Sequence, residues 1–278
     1  MKIPIWVWLW ISVPLLAVLA LVAFQLIRGV RLQARGNRGV ALHRAGDHAR
    51  AEAVFRELLA EGERRRVPTL QRYSLVNLSA SLIAQRRQAE ARPLLQRAAA
   101  LASQRGKPRE SATALYNLAW AAFLDRDFET AAQLDVQAQA AAANRAQVDL
   151  ATLFCLMDGR LATRDGRLED GRRALGQAAA HAATARDRDL VHQVTIAQGV
   201  LEYRAGNRAG LDLALDGAQR VVTADRQDLV ARWLTGLSVL ARSGGDQDAA
   251  RRLEAAAGGL QRAPDFPSPE ACASYLKA

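Results

Sequence analysis

From Ile3 to Ile27 the chain runs without a single charged residue; from Arg28 onward charged and apolar positions are interleaved to the end. The uncharged run is 25 residues long, about 37 Å as a helix at 1.5 Å per residue, and so long enough to cross a bilayer core of roughly 30 Å with tilt. Trp6, Trp8 and Trp10 stand near its outer end, where indole rings favour the headgroup boundary. A cleaved signal peptide would need a shorter apolar stretch followed by a small-x-small site. Here the run ends in FQLIRGVRLQAR instead, which predicts an uncleaved anchor over 1–28. Beyond it, no run of Val, Ile and Thr alternates with polar residues as a strand requires. The apolar positions are mostly Ala and Leu, which favour helix, so residues 29–262 are predicted to be all-α.

That region is repetitive. Gly46, Arg86, Arg126, Gly166, Gly206 and Gly245 recur at one constant spacing, with the last interval shorter by a single position. Each reads as the turn between two helices, and the glycines supply a left-handed backbone there. Seven positions ahead of these points stand Gly39, Ser79, Ala119, Gly159, Gly199 and Ser238. Five positions after them come Ala51, Ala91, Ala131, Gly171, Leu211 and Ala250, and twelve after them Leu58, Ala98, Ala138, Ala178, Ala218 and Ala257. Three columns of mostly small residues in phase predict the contact lines of helical hairpins, because antiparallel helices approach closely only where side chains are small.

Asp149-Leu150, Asp189-Leu190, Asp228-Leu229 and Thr69-Leu70 recur at one place in the unit, and Asp and Thr there are expected to be N-caps. The connectors EGERRRVP, SQRGKPRE, TARDRD and TADRQD carry polar or helix-breaking residues. At the end of the chain, Ser268-Pro269-Glu270 predicts a short capping helix within 263–278.

The segments GVALHRAGDHARAEAVFRELL, NLSASLIAQRRQAEARPLLQRA and NLAWAAFLDRDFETAAQLDVQA resemble tetratricopeptide repeats, and the 40-residue unit with its Asn-Leu-small start is closest to the kinesin-light-chain-like variety. The resemblance covers Leu32 to Gln261. It departs at Glu202, where an apolar residue is usual, and at Asp158 and Gln198, which replace the Leu of Leu78 and Leu118. It implies a right-handed α-solenoid of about six hairpins, whose first helices line a concave face.

Composition narrows the chemistry. The net charge is +10 and nearly all of it is Arg; the Arg are mixed with Asp and Glu, as on solvated helix faces. Cys155 and Cys272 are the only cysteines, which removes a disulfide framework or a Cys-based metal site. No phosphate loop, zinc-protease helix or nucleophile elbow occurs, and His43, His48, His181 and His192 are scattered. Neither catalysis nor a cofactor or metal is expected; the histidines read as surface or interhelix residues. Arg28, Arg31, Arg35 and Arg38 follow the apolar run, which by the positive-inside rule predicts a cytoplasmic repeat domain. The alternative, with that domain outside, suits an envelope-assembly or secretion accessory.

The expected activity is docking of protein partners through an extended or acidic peptide segment. Asn37, Asn77 and Asn117 form one column of the first helix, and a carboxamide ladder both donates to and accepts from a peptide backbone. Tyr73, Tyr116, Trp120, Phe123 and Tyr203 would grip apolar side chains, although aromatic residues at helical spacing also suit a core. Arg160, Arg164, Arg204 and Arg242 would hold carboxylates. A second reading is nucleic-acid binding by a basic solenoid; against it, no base-reading column repeats.

Overall fold

The computed structural model describes residues 5–142, 147–185, 187–221 and 223–260, with Pro269 and Cys272; the side chains of 5–17, Ala224, Asp225 and Asp228 fall outside that description. Among the described residues there are twelve α-helices and no strand. They are α1 (Ile5–Arg44), α2 (His48–Arg64), α3 (Pro68–Ala84), α4 (Gln88–Gln104), α5 (Pro108–Leu124), α6 (Phe128–Ala142), α7 (Val148–Arg164), α8 (Leu168–Ala182), α9 (Arg188–Arg204), α10 (Ala209–Gln219), α11 (Ala224–Ser243) and α12 (Gln247–Leu260). Each odd-numbered helix packs against the next as a hairpin, giving six.

The turn column holds in every unit. Gly46, Gly166, Gly206 and Gly245 take φ of 80, 72, 87 and 83°, and Arg86 and Arg126 adopt the same left-handed conformation at 62 and 65°. The following amide closes each turn by donating back to a carbonyl near the end of the preceding helix, as from Asp47 to Leu42, Asp127 to Ala122, and Asp246 to Ala241. This is the Schellman arrangement that satisfies the last carbonyls of a helix.

All three small-residue columns are buried through all six hairpins. A Cβ added to Gly39 would lie 2.7 Å from the Phe55 ring, and one on Gly159 2.5 Å from Leu175. At Gly199 the obstacle is backbone, with the Gly210 oxygen 2.6 Å away and the Ala214 nitrogen closer still. The helices therefore touch along the expected lines, and in the fifth hairpin no side chain fits between them.

The helix starts require a correction. Thr69, Asp149 and Asp189 sit inside the first turns of α3, α7 and α9, and Asp228 lies inside α11, so none is an N-cap. Pro68 and Pro108 open α3 and α5 instead, because a residue lacking N–H costs nothing at the first helical position. Asp189 has a different role: its carboxylate accepts the Thr223 amide at 3.1 Å and the Thr223 hydroxyl, tying the fifth hairpin to the sixth.

Much of the Arg excess is taken up between neighbouring units. Arg87 meets Glu52, Arg97 meets Glu63, Arg92 meets Asp125, Arg172 meets Glu202 and Arg252 meets Asp212, all from 30 to 40 residues apart. Glu202, which stands where an apolar residue is usual, is thus one half of an inter-hairpin ion pair at 2.8 Å. Such exposed pairs contribute about 0–1 kcal/mol each, so they set register between hairpins more than they stabilise.

Among the described residues no helix is long and apolar enough to cross a membrane. The expected anchor falls largely on residues 1–17, outside the described side chains, and finds no support in that result. The described part of the run is nevertheless unpacked: Leu19, Leu21, Phe24, Leu26 and Ile27 are each more than half exposed on α1. The expected capping helix of 263–278 lies outside the described residues apart from Pro269 and Cys272, which are helical, Cys272 being fully buried.

Candidate functional site: a cationic concave cleft

The succession of hairpins brings α11 back to α1, so the concave face is a cleft rather than an open groove. Leu229 of α11 packs against the core of the first three hairpins and shares the cleft lining with Ile83 and Leu124. Between these walls lies a cavity of about 250 Å³, lined by His43, Ala80, Tyr116, Trp120, Arg160 and Arg226 among others.

Trp120 is the floor. It abuts three separate clusters of the core, stacks on Phe123 with ring centroids 5.5 Å apart, and presents one face to Arg160. The Arg160 guanidinium lies 5.3 Å from the Trp120 centroid and 3.9 Å from that of Trp233 on α11. Indole faces attract a cation by about 0.5–2 kcal/mol, and here they hold it between the two halves of the molecule. Arg160 Nη2 donates to Gln193 Oε1 at 3.3 Å, while its buried Nε has no hydrogen-bond partner among the described residues.

Positive charge converges on this point. Arg226 donates from Nη2 to Asp187 at 2.5 Å, but its buried Nη1 has no hydrogen-bond partner among the described residues. Arg232, His43 and His48 complete the cationic and titratable lining, and among the described residues no carboxylate belongs to it. Burial, opposed by Tyr116 and reinforced by Arg226, pulls the Arg160 guanidinium down to about 9. Burial again comes first at His43, followed by the positive charge of His48, Arg226 and Arg44, and together they hold that imidazole down to about 4. Burial is the larger cause in both, and the smaller part of each shift reports the positive charge of the neighbouring side chains.

The expected site residues divide. Tyr116, Asn117, Trp120 and Arg160 line the cleft. Phe123, Arg160, Arg164 and Arg204 line a smaller adjoining hollow with Trp233. Tyr116 and Phe123 are nonetheless mainly core, 5% and 3% exposed. Asn37, Tyr73, Asn77, Tyr203 and Arg242 line neither. Asn37 is exposed on α1, and Tyr73 lies over Gly36. Asn77 turns its amide onto the Tyr73 carbonyl of its own helix at 2.8 Å. Tyr203 meets Asp246 at 3.5 Å, and Arg242 meets Glu254.

Sequence reasoning missed His43, His48, Gln193, Arg226, Leu229, Arg232 and Trp233. A signal existed for two of them: Leu153, Gln193 and Arg232 occupy one column of the repeat, at a fixed distance ahead of Gly166, Gly206 and Gly245. The two histidines, expected at the surface or between helices, have rings 4.9 Å apart at the cleft wall.

No protein-family model matches the chain, and comparison with curated proteins found no match. Solved structures do resemble it. The apo form of the quorum sensor NprR from B. thuringiensis aligns with a TM-score of 0.53 and 14% identity, over 84% of this chain and 66% of that one. The crystal structure of BtubC (BKLC) from P. vanneervenii aligns with a TM-score of 0.49 and 18% identity, over 83% of this chain and 82% of that one. With six in-phase hairpins, the chain has a TPR-like helical-repeat fold.

Proposed function

We propose that this chain is a scaffold that docks protein partners by holding an acidic peptide segment in the concave cleft. This reading rests on the convergence of Arg160, Arg226 and Arg232 on a cavity floored by Trp120, with no carboxylate in its lining among the described residues. Arg forks bind carboxylates in two-pronged fashion, and an indole beside them accepts the apolar part of the same segment. Asn117 and Gln193, both in the lining, supply donors and acceptors for peptide backbone. Because α11 returns to α1, the segment would enter as a short stretch or chain end, and the full ladder of Asn37, Asn77 and Asn117 is not needed to hold it. The proposed role is binding and not catalysis.

The basic surface favours this over nucleic acid. Outside the cleft, Arg side chains recur in ion pairs with Asp and Glu of neighbouring hairpins, leaving little of the continuous positive stripe that tracks phosphates.

We further propose that residues 3–27 tether the scaffold to a membrane with the repeats on the cytoplasmic side. Support comes from the uncharged run itself, from the exposed apolar side chains of its described part, and from the Arg residues that follow. A C-terminal reporter active on one side of the membrane tests the orientation; signal from outside would favour the envelope or secretion role. Docking is tested by calorimetry on the full chain in detergent, with a Glu-rich peptide and its Gln counterpart. Saturable binding of the Glu peptide alone supports the reading; equal binding of the two contradicts it.

A further inference from the structure

The third and fourth hairpins meet more loosely than the first three do among themselves. α6 packs on α7 more sparsely than α2 on α3 or α4 on α5. A cleft of about 630 Å³ opens there on the outer side, lined by Phe128, Val136, Asp158, Leu161 and Arg164 among others. Behind its wall lies Asp135 of α6, 1% exposed. Gln139 Nε2 donates to Asp135 at 2.8 Å and to Asp158 of α7 at 3.1 Å, holding the two carboxyl groups side by side. The other Asp135 oxygen is buried with no hydrogen-bond donor among the described residues around it. A proton on one carboxyl, shared with the other, satisfies it.

We propose that this junction is a pH-responsive hinge: Asp135 and Asp158 share a proton when it is closed, and loss of that proton to solvent opens α6 from α7.

Among the described residues no cation acts on Asp135. The titratable and charged groups around it are Tyr116 from α5, and Cys155 and Asp158 from α7; Arg167, in the turn before α8, acts on Asp158. Burial, then the Asp158 charge and shared hydrogen bond, push Asp135 up to about 7 against the ordinary 3.8, with Gln139 opposing. Asp158 is exposed, so the cost falls on Asp135, whose buried carboxylate ionises against both lost hydration and the neighbouring charge. Opening hydrates Asp135 and restores its ordinary acidity, so the closed state holds a proton that the open state releases. By linkage, opening then gains about tenfold per pH unit from about 4 to about 7 and levels off above. The hinge divides the concave cleft as well, since Tyr116 and Trp120 stand on α5 and Arg160 on α7.

Hydrogen exchange of the full chain tests this without any ligand, and so independently of the docking proposal. Corrected for intrinsic exchange, the opening constant of amides in 136–142 and 148–157 should rise from pH 4 to 7 by at least a hundredfold in wild type. In Asp135→Asn, whose amide keeps the shape and donates without ionising, it should stay flat, while α2–α4 behaves alike in both. Equal pH dependence in the two proteins overturns the hinge. So does a rise spread evenly over every hairpin, which would make the pair a determinant of global stability alone. Should Asp135→Asn fold poorly, Asp135→Leu, close in size and unable to ionise, offers the second test, with the same flattening expected and its absence equally fatal.

Discussion

The Arg160 guanidinium lies 3.9 Å from the ring centroid of Trp233, a residue far along the chain on α11. That contact joins the fourth hairpin to the sixth across the concave face. A half-buried arginine without a carboxylate costs folding free energy, and its placement between two indoles over a cationic cavity is better explained by binding than by stability.

Replacing Arg160 by Met keeps an unbranched chain against Trp120 and Trp233 and removes the charge. Affinity for an acidic peptide should fall at least tenfold in calorimetry, while the denaturation midpoint holds or rises. A loss of more than about 2 kcal/mol in stability would instead mark Arg160 as structural.

Gly199→Ala should be among the most damaging of the glycine substitutions, with Gly210→Ala on the facing helix its equal. A Cβ on Gly199 would press on backbone of α10, including the Gly210 oxygen at 2.6 Å, and backbone has no rotamer by which to yield. Chemical denaturation should show a loss of about 3 kcal/mol, concentrated in the fifth hairpin. Gly39→Ala, opposed only by the Phe55 ring, should cost less.

The turn column predicts opposite signs at equivalent places. Arg126→Gly should stabilise by about 0.5–1 kcal/mol, because the left-handed φ of 65° strains a residue with a Cβ. Gly166→Ala should destabilise by about 1 kcal/mol. A Cβ at Gly166 meets nothing within 4 Å, so thermal melts of the two variants isolate the backbone contribution.

Two groups give stability opposing dependence on pH. His43, held down to about 4 from 6.5, is charged in the unfolded chain before the folded one, so its contribution is full above about 6.5 and is lost as pH falls toward 4. Asp135, raised to about 7, stabilises at acid pH and loses that contribution as pH rises from about 4 to 7. Wild type should therefore vary little. Asp135→Asn should lose stability toward acid, and should exceed wild type at pH 8 by on the order of 2–4 kcal/mol; His43→Asn should gain toward acid. Denaturation at pH 4.5 and 8 distinguishes all three.

The periodic features are legible because each is local. A left-handed turn needs Gly or tolerates Arg at one position, and close helix contact needs Gly, Ala or Ser at another, so both recur once per hairpin and survive in the fold. Helix starts are less so, because Pro68 and Pro108 begin helices that Thr and Asp were expected to cap. The cleft is half legible. Trp120 and Arg160 stand in the first helices of their hairpins, as the resemblance implies, but Arg226 and Trp233 join them only through the curvature of the whole solenoid. That curvature sums small rotations at every junction, and no single residue type encodes it. Asp158, a departure from the repeat, proves to be the partner of Gln139 beside Asp135.

Docking in the cleft can be read from the Nε–Hε resonances of Arg160 and Arg226, assigned by their loss in Arg160→Met and Arg226→Met, during titration with a Glu-rich peptide. Both should shift with a common saturation curve while Arg92 and Arg172, paired on the outer surface, stay in place. If the peptide binds and those two resonances do not move, the acidic segment docks elsewhere and the cleft is not the site.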